Sequence, residues 1–184
     1  MAANQPQWPR EWLMTDERTG VRLWEAIEAL PAGAGIIYRN YATPDDERSR
    51  LADRISRACR KRGLILGIAR NVRLAEFLGA DLVHNPVGAS GALPVSRSAH
   101  SLKEASDACS AGAALLFVSP VHATRSHPER RPLGHAAAVR IAQSCPVPAI
   151  ALGGVNRDNF APLRREGFYG WAGIDAWLKD EVRT

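Results

Sequence analysis

Short apolar runs recur along the chain, and four of them follow a helix-like segment that ends in glycine. Within three residues of such a glycine a run begins, as in LILGIA and ALLFVS. Glycine just past a helix end takes the left-handed conformation that closes the last turn, so each position predicts a joint between a helix and a strand. The four glycines are Gly63, Gly79, Gly112 and Gly167. Because the runs lack polar alternation, they are typical of parallel strands covered on both faces, and they predict an α/β protein.

Eight strands are predicted, and their number decides the architecture. They cover residues 12–15, 35–39, 64–68, 82–85, 93–96, 115–119, 149–152 and 170–173. Eight strands that alternate with helices predict a (β/α)8 TIM barrel that occupies residues 1–184 as a single domain. A doubly wound open sheet is the alternative that periodicity leaves open. The strand count and the lack of a G-x-G-x-x-G motif after the first strand favour the barrel.

The predicted barrel is compact, since 184 residues fall below the roughly 200 that this fold usually needs. Residues 86–92 join strands four and five and contain Pro86, Gly88 and Gly91. Such a segment is too short and too rich in glycine to hold a helix. Helix four is therefore predicted to be missing or reduced to a turn.

Three helix starts carry sequence signals. Thr43 is predicted to cap a helix with Pro44 at its first position, and Ser101 with Glu104 forms a predicted capping box. Asn156 is predicted to cap a helix that runs on to residue 166.

The composition is that of an ordinary soluble globular protein, with 46% hydrophobic and 23% charged residues. No apolar run approaches the roughly 18 residues of a membrane span, and the first dozen residues do not form a secretory signal. A cytoplasmic location without a membrane partner is the resulting expectation. Cys59, Cys109 and Cys145 are widely spaced and form no C-x-x-C pair. They are interpreted as free thiols packed in helices.

A net charge of +5, almost all of it from arginine, indicates an anionic partner or no particular partner. The densest basic stretch, residues 54–62, alternates its charges with apolar positions as the solvated face of an amphipathic helix does. Because the charges are spread along the chain without interleaved aromatic residues, a nucleic-acid partner is not expected. A phosphorylated small substrate explains the basic character equally well.

Functional groups of such barrels lie at the carboxyl ends of the strands. These ends are polar here, and they include residues 15–16, 39–41, 70–71, 84–85, 96–100, 119–127, 153–156 and 173–175. The histidines show no zinc-binding spacing, and Asp16 is the sole acid at the first six ends, so neither a zinc site nor a carboxylate cluster for magnesium is indicated.

Paired glycines follow strand seven and frame strand eight. Gly153 and Gly154 precede Asn156, and Gly170 and Gly173 lie one unit later. Glycine lets the backbone approach phosphate oxygens, and a helix start presents free N–H groups, so a phosphate cradle is one interpretation. A tight turn between strand and helix is the other.

The segment SPVHATRSH, residues 119–127, is unusually polar for the exit of an apolar strand. Thr124 and Ser126 carry hydroxyls suited to phosphate oxygens, while His122 and His127 supply charge or proton transfer. A solvated loop with a structural histidine is the alternative for this segment.

Four motifs in order resemble those of the thiamine-phosphate synthase family, whose relatives include a thiazole tautomerase branch. They are SAHSLKEA at residues 98–105, SPVHATRSH at residues 119–127, AIALGGV at residues 149–155 and GFYGWAGIDAW at residues 167–177. The resemblance implies a (β/α)8 enzyme that joins a hydroxymethylpyrimidine diphosphate to a thiazole phosphate and releases pyrophosphate with magnesium. It also suggests a homodimer.

Carried over by position, the resemblance implies two substrate regions. The thiazole phosphate would contact Thr124, Ser126, His127, Gly153, Gly154, Ile174 and Asp175. The pyrimidine diphosphate would face Arg39 and Ser98, with Arg70 and Asn71 close to it. Arg39, Ser98 and His122 are the candidate catalytic residues. The family role is alignment of the two substrates and neutralisation of the leaving diphosphate.

The sequence departs from the family where that neutralisation should occur. Arg70 stands where a magnesium-binding aspartate is expected, and HNPVGA at residues 84–89 lacks a second one. Tyr41 replaces a lysine and Ile37 a glutamine, while His127 replaces the lysine of strand six. Magnesium, the family's cofactor, is therefore not expected to bind in the usual way.

Two explanations remain open. Arg70 and Arg39 replace the metal as fixed positive charge, since guanidinium binds phosphate oxygens through a bidentate fork. Alternatively, the diphosphate half of the site has decayed, which leaves a thiazole tautomerase or a non-catalytic thiazole-phosphate-binding protein. In the tautomerase branch a histidine occupies the position of Pro120, and His122 lies two residues later on the same face of an extended strand.

Overall fold

In a computed structural model of the protein, which describes residues 8–124 and 129–178, eight parallel strands form a closed barrel. Each strand pairs with the next one along the chain, and the eighth pairs with the first, as in the register of Trp12 with Ala172. The predicted (β/α)8 barrel is therefore confirmed over the described residues, and the open sheet is excluded.

The strands lie close to their predicted positions, with one shift. They are β1 Glu11–Met14, β2 Gly35–Tyr38, β3 Ile65–Ala69, β4 Leu82–His84, β5 Val95–Ala99, β6 Leu115–Val118, β7 Ala149–Leu152 and β8 Gly170–Gly173. Strand β5 begins two residues and ends three residues later than expected. Pro94 has no N–H to donate, so the strand begins after it, and Ser98 lies within the strand opposite Phe117 rather than beyond its end.

Six α-helices lie among the described residues. They are α1 Leu23–Ala29, α2 Asp45–Arg62, α3 Val72–Leu78, α4 Leu102–Ser110, α5 His135–Gln143 and α6 Phe160–Arg165. Two 3-10 helices, Glu17–Arg22 and Asp175–Trp177, follow β1 and β8. Residues 85–94, which join β4 to β5 and are all described, form turns where a regular barrel has a helix. None of the described helices is long and apolar enough to cross a membrane.

The glycines at the helix ends behave as predicted. Gly63, Gly79, Gly112 and Gly167 have φ values of 63°, 63°, 74° and 107°. This left-handed conformation turns the chain from each helix into the following strand.

Two of the three predicted helix starts differ from those observed. Ser101 caps α4 by accepting from the Glu104 N–H, as expected, although the Glu104 carboxylate bonds the N–H of His100. Pro44, not Thr43, is the cap of α2. Asn156 accepts from the N–H groups of Asp158 and Asn159 in the manner of an N-cap, but residues 157–159 form a turn and the helix begins at Phe160. Pro162 then falls in the first turn of α6, where no N–H is required.

Large side chains fill the inside of the barrel. Trp12 is fully buried there, and its ring meets Phe117 edge-on at a centroid distance of 5.6 Å. The Trp12 ring occupies the space that a Cβ on Gly35 would need. The interior is thus a packed core that supports the strand ends, and the helices pack against the outer face of the sheet.

The basic stretch of α2 is more than a solvated face, which corrects the sequence interpretation. Arg62 donates to the carbonyl of Leu30 at 2.7 Å, just past the end of α1, and Arg60 donates to the carbonyl of Leu78 at the end of α3. Arg54 lies over the Trp24 ring, 4.6 Å from its centroid. Arg60 and Arg62 thus bind carbonyls at the ends of neighbouring helices, a role that needs no nucleic acid.

The prediction of free thiols is wrong for two of the three cysteines. Cys109 and Cys145 form a disulfide, with their Cα atoms 6.0 Å apart. The first lies in the last turn of α4 and the second just after α5, and the fold brings these neighbouring helix ends together across 36 residues of sequence. Cys59 is a free thiol in α2, and burial raises its pKa to about 12.

Candidate active site

A cleft of about 630 Å³ opens at the carboxyl ends of the strands. Eight of the predicted site residues line it, namely Arg39, Arg70, Ser98, Thr124, Gly153, Gly154, Ile174 and Asp175. Asn71 and His122 are described but do not line it, and Ser126 and His127 lie outside the described residues. The strand-end rule thus brings most of the predicted residues to one place.

Asn71 serves the fold instead of the cleft. Its side chain accepts a hydrogen bond from the Leu74 N–H at 2.9 Å and so caps α3. The structure thus gives Asn71 the role of a helix cap, and its contact with a substrate stays a prediction.

His122 also lies away from the lining. Its backbone N–H donates to the carbonyl of Gly153 at 3.0 Å, and its Cβ faces Gly154. This contact joins the exits of β6 and β7. His122 is not among the residues that line the cleft, although Ala123 and Thr124 beside it are, and its catalytic role stays a prediction.

The exit of β7 is a glycine turn with two left-handed residues in succession. Gly153 and Gly154 have φ values of 93° and 62°. A Cβ on Gly153 would approach Pro120 to 2.8 Å, and one on Gly154 would meet the Ala123 carbonyl oxygen. The turn therefore requires glycine both for its conformation and for its contact with the segment after β6.

This turn presents open donors to the cleft. Among the described residues no acceptor bonds the N–H groups of Gly154 and Val155. Asn159 donates to the carbonyl of Gly154 at 2.8 Å and holds the turn from behind. Beside it, Gly173 leads into the 3-10 helix Asp175–Trp177. Consecutive N–H groups of this kind form a concave site for an anion.

The opposite side of the cleft is cationic. The Arg39 side chain donates from Nε to the Thr15 carbonyl at 2.9 Å, and its Nη2 lies 3.6 Å from Asp16. Burial lowers the pKa of the Arg39 guanidinium below its usual value, while the neighbouring Tyr41 and Asp16 act in the opposite direction. A guanidinium keeps its charge at neutral pH despite such a shift.

Arg70 adds a second guanidinium to the cleft, besides that of Arg39. Its φ of 67° is left-handed, and its guanidinium carbon lies 4.3 Å from the centre of the Tyr41 ring. The side chains of Arg70 and Tyr41 are both exposed to solvent at the cleft wall. The stacking orients the Arg70 fork without taking its N–H groups.

The floor between the two sides is a polar cluster centred on His84. The His84 Nδ1 lies 2.9 Å from Ser96 Oγ, and its Nε2 lies 3.1 Å from the amide nitrogen of Asn85. Asn85 also donates to Ser98 Oγ at 3.0 Å. Burial, with the charges of Arg39 and Arg97, lowers the pKa of His84 to about 3. Because the Asn85 amide donates to Nε2, the neutral ring carries its proton on Nδ1.

The sequence analysis did not identify three residues that line the cleft, namely Arg130, Arg157 and Asp158. His100, at the predicted end of strand five, lines it too and pairs with Glu104 at 2.8 Å. Arg157 lies five residues after the end of β7, so its nearness to the strand end was the available signal. Arg130 lies far from any strand end and carries no such signal.

The side chains do not fit a magnesium ion. The acids that line the cleft are Asp158 and Asp175, and Asp175 lies 3.9 Å from the guanidinium of Arg18. Across residues 8–124 and 129–178 no three metal-ligating side chains come together. Magnesium prefers clustered oxygen ligands, whereas two guanidinium groups occupy this wall.

Comparison with known proteins places these observations in a family. The family model described as thiamine monophosphate synthase matches residues 13–177. A putative thiamine-phosphate synthase 2 of Aquifex aeolicus (strain VF5) is 30% identical over 183 residues, which cover 93% of this chain and 98% of that protein. A thiamine-phosphate synthase of Prochlorococcus marinus (strain MIT 9313) is 31% identical over 85% of this chain, which spans about half, 48%, of that relative.

A solved structure agrees with the sequence comparison. Thiamine phosphate pyrophosphorylase from Pyrococcus furiosus superposes with a TM-score of 0.78 at 25% sequence identity. The match covers 95% of this chain and 90% of that one. The similarity therefore extends over the whole barrel and not only over the strand-end motifs.

Proposed function

Because the chain belongs to the thiamine monophosphate synthase family, we propose that it couples hydroxymethylpyrimidine diphosphate to thiazole phosphate and releases pyrophosphate. The family acts in thiamine biosynthesis, and the relatives compared are named as its enzymes. The homodimer and the cytoplasmic location expected from the sequence stay predictions.

One observation carries the proposal: two different anion-binding regions face each other across one cleft. The glycine turn after β7 offers backbone N–H groups, and Arg39 and Arg70 offer guanidinium groups on the other side. A reaction between two phosphorylated substrates needs two such regions, whereas a single phosphate ligand needs one.

The thiazole phosphate is assigned to the glycine side. The N–H groups of Gly154 and Val155 are the donors offered there, and Thr124 lines the same cleft. Ile174 and Asp175 contribute the start of the 3-10 helix after β8. Ser126 and His127 belong to the proposal by sequence position.

The diphosphate is assigned to the guanidinium side. In the reaction the bond from the pyrimidine methylene carbon to the diphosphate oxygen breaks, and its electron pair leaves with pyrophosphate. The thiazole ring supplies the pair for the new bond. Arg39 and Arg70 would stabilise the charge that develops on the leaving group. The residues present give no step to a protein-held magnesium ion.

The floor suits a neutral, hydrogen-bonding ring. His84 stays uncharged, and the Ser98 hydroxyl accepts from Asn85 at 3.0 Å and lies 3.3 Å from His84 Nε2. Ser98 is assigned to the pyrimidine by its sequence position and its place in the cleft lining. Neutral partners at the floor keep the charges of the cleft at its two sides.

A second candidate is a protein that binds thiazole phosphate without turnover. The observation in its favour is that the Arg39 guanidinium already bonds Thr15 and pairs with Asp16, which leaves fewer N–H groups for a diphosphate. The tautomerase alternative, which rests on His122, stays a prediction, since the residues that line the cleft do not include His122.

The deciding experiment incubates the purified protein with both phosphorylated precursors, once with magnesium and once with a chelator. Thiamine phosphate is detected as its fluorescent oxidation product. Product in either condition supports the synthase. Binding of thiazole phosphate by calorimetry without any product supports the non-catalytic candidate.

The substitution Arg70→Asp tests the role assigned to the guanidinium. It restores a carboxylate at the family's metal position, so activity is expected to become dependent on magnesium. The matched control is Arg73→Asp, the same charge change on the exposed side of α3. An Arg70→Asp protein with unchanged activity and no response to metal would contradict the assignment.

A further inference from the structure

Arg48, in the first turn of α2, is a charged side chain buried behind the guanidinium side of the cleft. It is 7% exposed, and no carboxylate of the described residues forms an ion pair with it. Its Nε donates to the carbonyl of Arg39 at 3.2 Å, and its Nη2 donates to the carbonyl of Ala69 at 2.9 Å. One guanidinium therefore joins the exits of β2 and β3.

The residues that follow these two carbonyls both have left-handed backbones. Asn40 follows Arg39 with a φ of 35°, and Arg70 follows Ala69 with a φ of 67°. Residues other than glycine keep this conformation where surrounding contacts impose it. The hydrogen bonds from Arg48 are contacts of that kind, and they lie directly before each turn.

Arg48 is itself held from below by Tyr38. The Tyr38 hydroxyl donates to the Arg48 carbonyl at 3.0 Å, and the Arg48 guanidinium lies 5.5 Å from the centre of the Tyr38 ring. Burial raises the pKa of Tyr38 to about 12, against the opposing effect of Arg48, so the hydroxyl stays a donor. Hydrogen bonds therefore hold both the backbone carbonyl and the guanidinium of Arg48.

The position is an unfavourable one for a cation. Arg48 lies near the positive end of a helix, out of water and without a paired acid. Arginine side chains are mostly exposed and are almost never fully buried unless they are paired. An anion on the other side of the strand ends would offset its charge.

We propose that Arg48 is a positioning residue for the diphosphate: by bonding the carbonyls of Arg39 and Ala69, it holds the backbone that carries the Arg39 and Arg70 side chains. The inference rests on the assignment of the diphosphate to this side of the cleft. Arg48 does not touch the substrate.

The test compares Arg48→Met with Arg50→Met, which removes the same charge from the exposed face of α2. Calorimetry measures the binding of inorganic pyrophosphate and, separately, of thiazole phosphate. Arg48→Met is expected to weaken pyrophosphate binding roughly tenfold and to leave thiazole phosphate binding unchanged, because the glycine side does not contact Arg48. Arg50→Met is expected to change neither affinity.

Two further variants test the same hydrogen bonds if Arg48→Met fails to fold. Arg48→Lys keeps the charge but offers a point donor that does not bridge both carbonyls, so a loss of about threefold is expected. In the Arg48→Lys and Arg70→Ala pair, the combined loss of pyrophosphate affinity is expected to be smaller than the product of the two single losses.

Several outcomes would overturn the inference. These are multiplicative losses in the double variant, equal losses for both ligands, and no pyrophosphate binding by the unaltered protein. Because the test reads binding, it is separate from turnover. A protein that makes no thiamine phosphate but shows the Arg48-dependent pyrophosphate affinity loses the proposed reaction and keeps this inference.

Discussion

On the β7 and β8 side of the cleft the backbone supplies the open N–H donors, whereas on the β2 and β3 side guanidinium groups supply them. The first side depends on Gly153 and Gly154, where no side chain fits. The second depends on Arg39 and Arg70, whose orientation comes from Thr15, Tyr41 and the carbonyl contacts behind them. One side is therefore set by local conformation and the other by tertiary contacts.

The difference has a consequence for the chemistry. Backbone dipoles are fixed and uncharged, so they suit a phosphate that stays in place throughout a reaction. Guanidinium groups carry full charge, so they suit a group on which charge increases. The proposed division of the two substrates follows this difference, and each substitution below is expected to affect one side and spare the other.

The largest effect is expected from Gly154→Ala. The added Cβ would meet His122 and the Ala123 carbonyl, and φ at this position is +62°. Thiazole phosphate affinity is expected to fall roughly 100-fold, equivalent to about 2.7 kcal/mol of strain and displacement. Pyrophosphate affinity is expected to stay unchanged. Calorimetry with each ligand measures both.

The matched control is Gly63→Ala, because Gly63 has a φ of +63° with open space around its Cβ position. It caps the far end of α2, away from the cleft. A loss of stability without any loss of ligand affinity is expected. Equal losses of thiazole phosphate affinity in the two variants would contradict a specific role for the β7 turn.

A smaller effect on the opposite ligand is expected from Arg39→Lys. Lysine keeps the charge but lacks the planar guanidinium. Its single ammonium group does not bond both the Thr15 carbonyl and a diphosphate. The affinity for pyrophosphate is expected to fall roughly 30-fold, about 2 kcal/mol. Arg18→Lys, in the same ion-pair network but outside the cleft lining, serves as the control. A similar loss in both variants would assign the effect to the network as a whole.

The sequence predicts the two sides of the cleft unequally, for a physical reason. Gly153 and Gly154 are visible as a pair after an apolar run, because a left-handed turn needs glycine and little else. The helix-end glycines and the strands are visible for similar local reasons. The shift of β5 could have been foreseen from Pro94 alone.

The guanidinium side depends on contacts between distant parts of the chain. Asparagine adopts the left-handed conformation more readily than most residues, so Asn40 carries a weak local signal, but nothing local marks Arg70 as left-handed. The burial of Arg48 also contradicts the usual exposure of arginine. In the same way, the Cys109–Cys145 disulfide follows from the packing of α4 beside α5, which the spacing of cysteines does not reveal.

The floor between the two sides gives a pH effect on stability. The pKa of His84 is about 3 in the folded protein against an ordinary value of 6.5. Above pH 6.5 the ring is neutral whether the chain is folded or unfolded. As the pH falls from 6.5 towards 3, His84 binds a proton in the unfolded chain but stays neutral in the folded one. The folded state therefore loses stability relative to the unfolded state. At about pH 5.5 this loss is expected to be about 1.4 kcal/mol.

Urea unfolding at about pH 7.5 and about pH 5.5 measures this loss. His84→Gln lacks the titrating ring, so its stability is expected to fall less over the same interval. His135→Gln removes an exposed histidine and is expected to keep the full loss. If His84→Gln and the unaltered protein lose stability equally, the acid sensitivity lies elsewhere.

The smallest expected effect separates the two sides without a mutation. Salt screens charges in contact with solvent, with a Debye length of about 10 Å at about 0.1 M, and it acts less on short hydrogen bonds to fixed dipoles. Raising sodium chloride from about 50 mM to about 300 mM is expected to weaken pyrophosphate binding about fivefold and thiazole phosphate binding less than about twofold. Arg70 is exposed, so Arg70→Ala is expected to flatten the response of pyrophosphate alone. If both ligands respond equally to salt, charge and not backbone geometry holds both phosphates, and the contrast between the two sides fails.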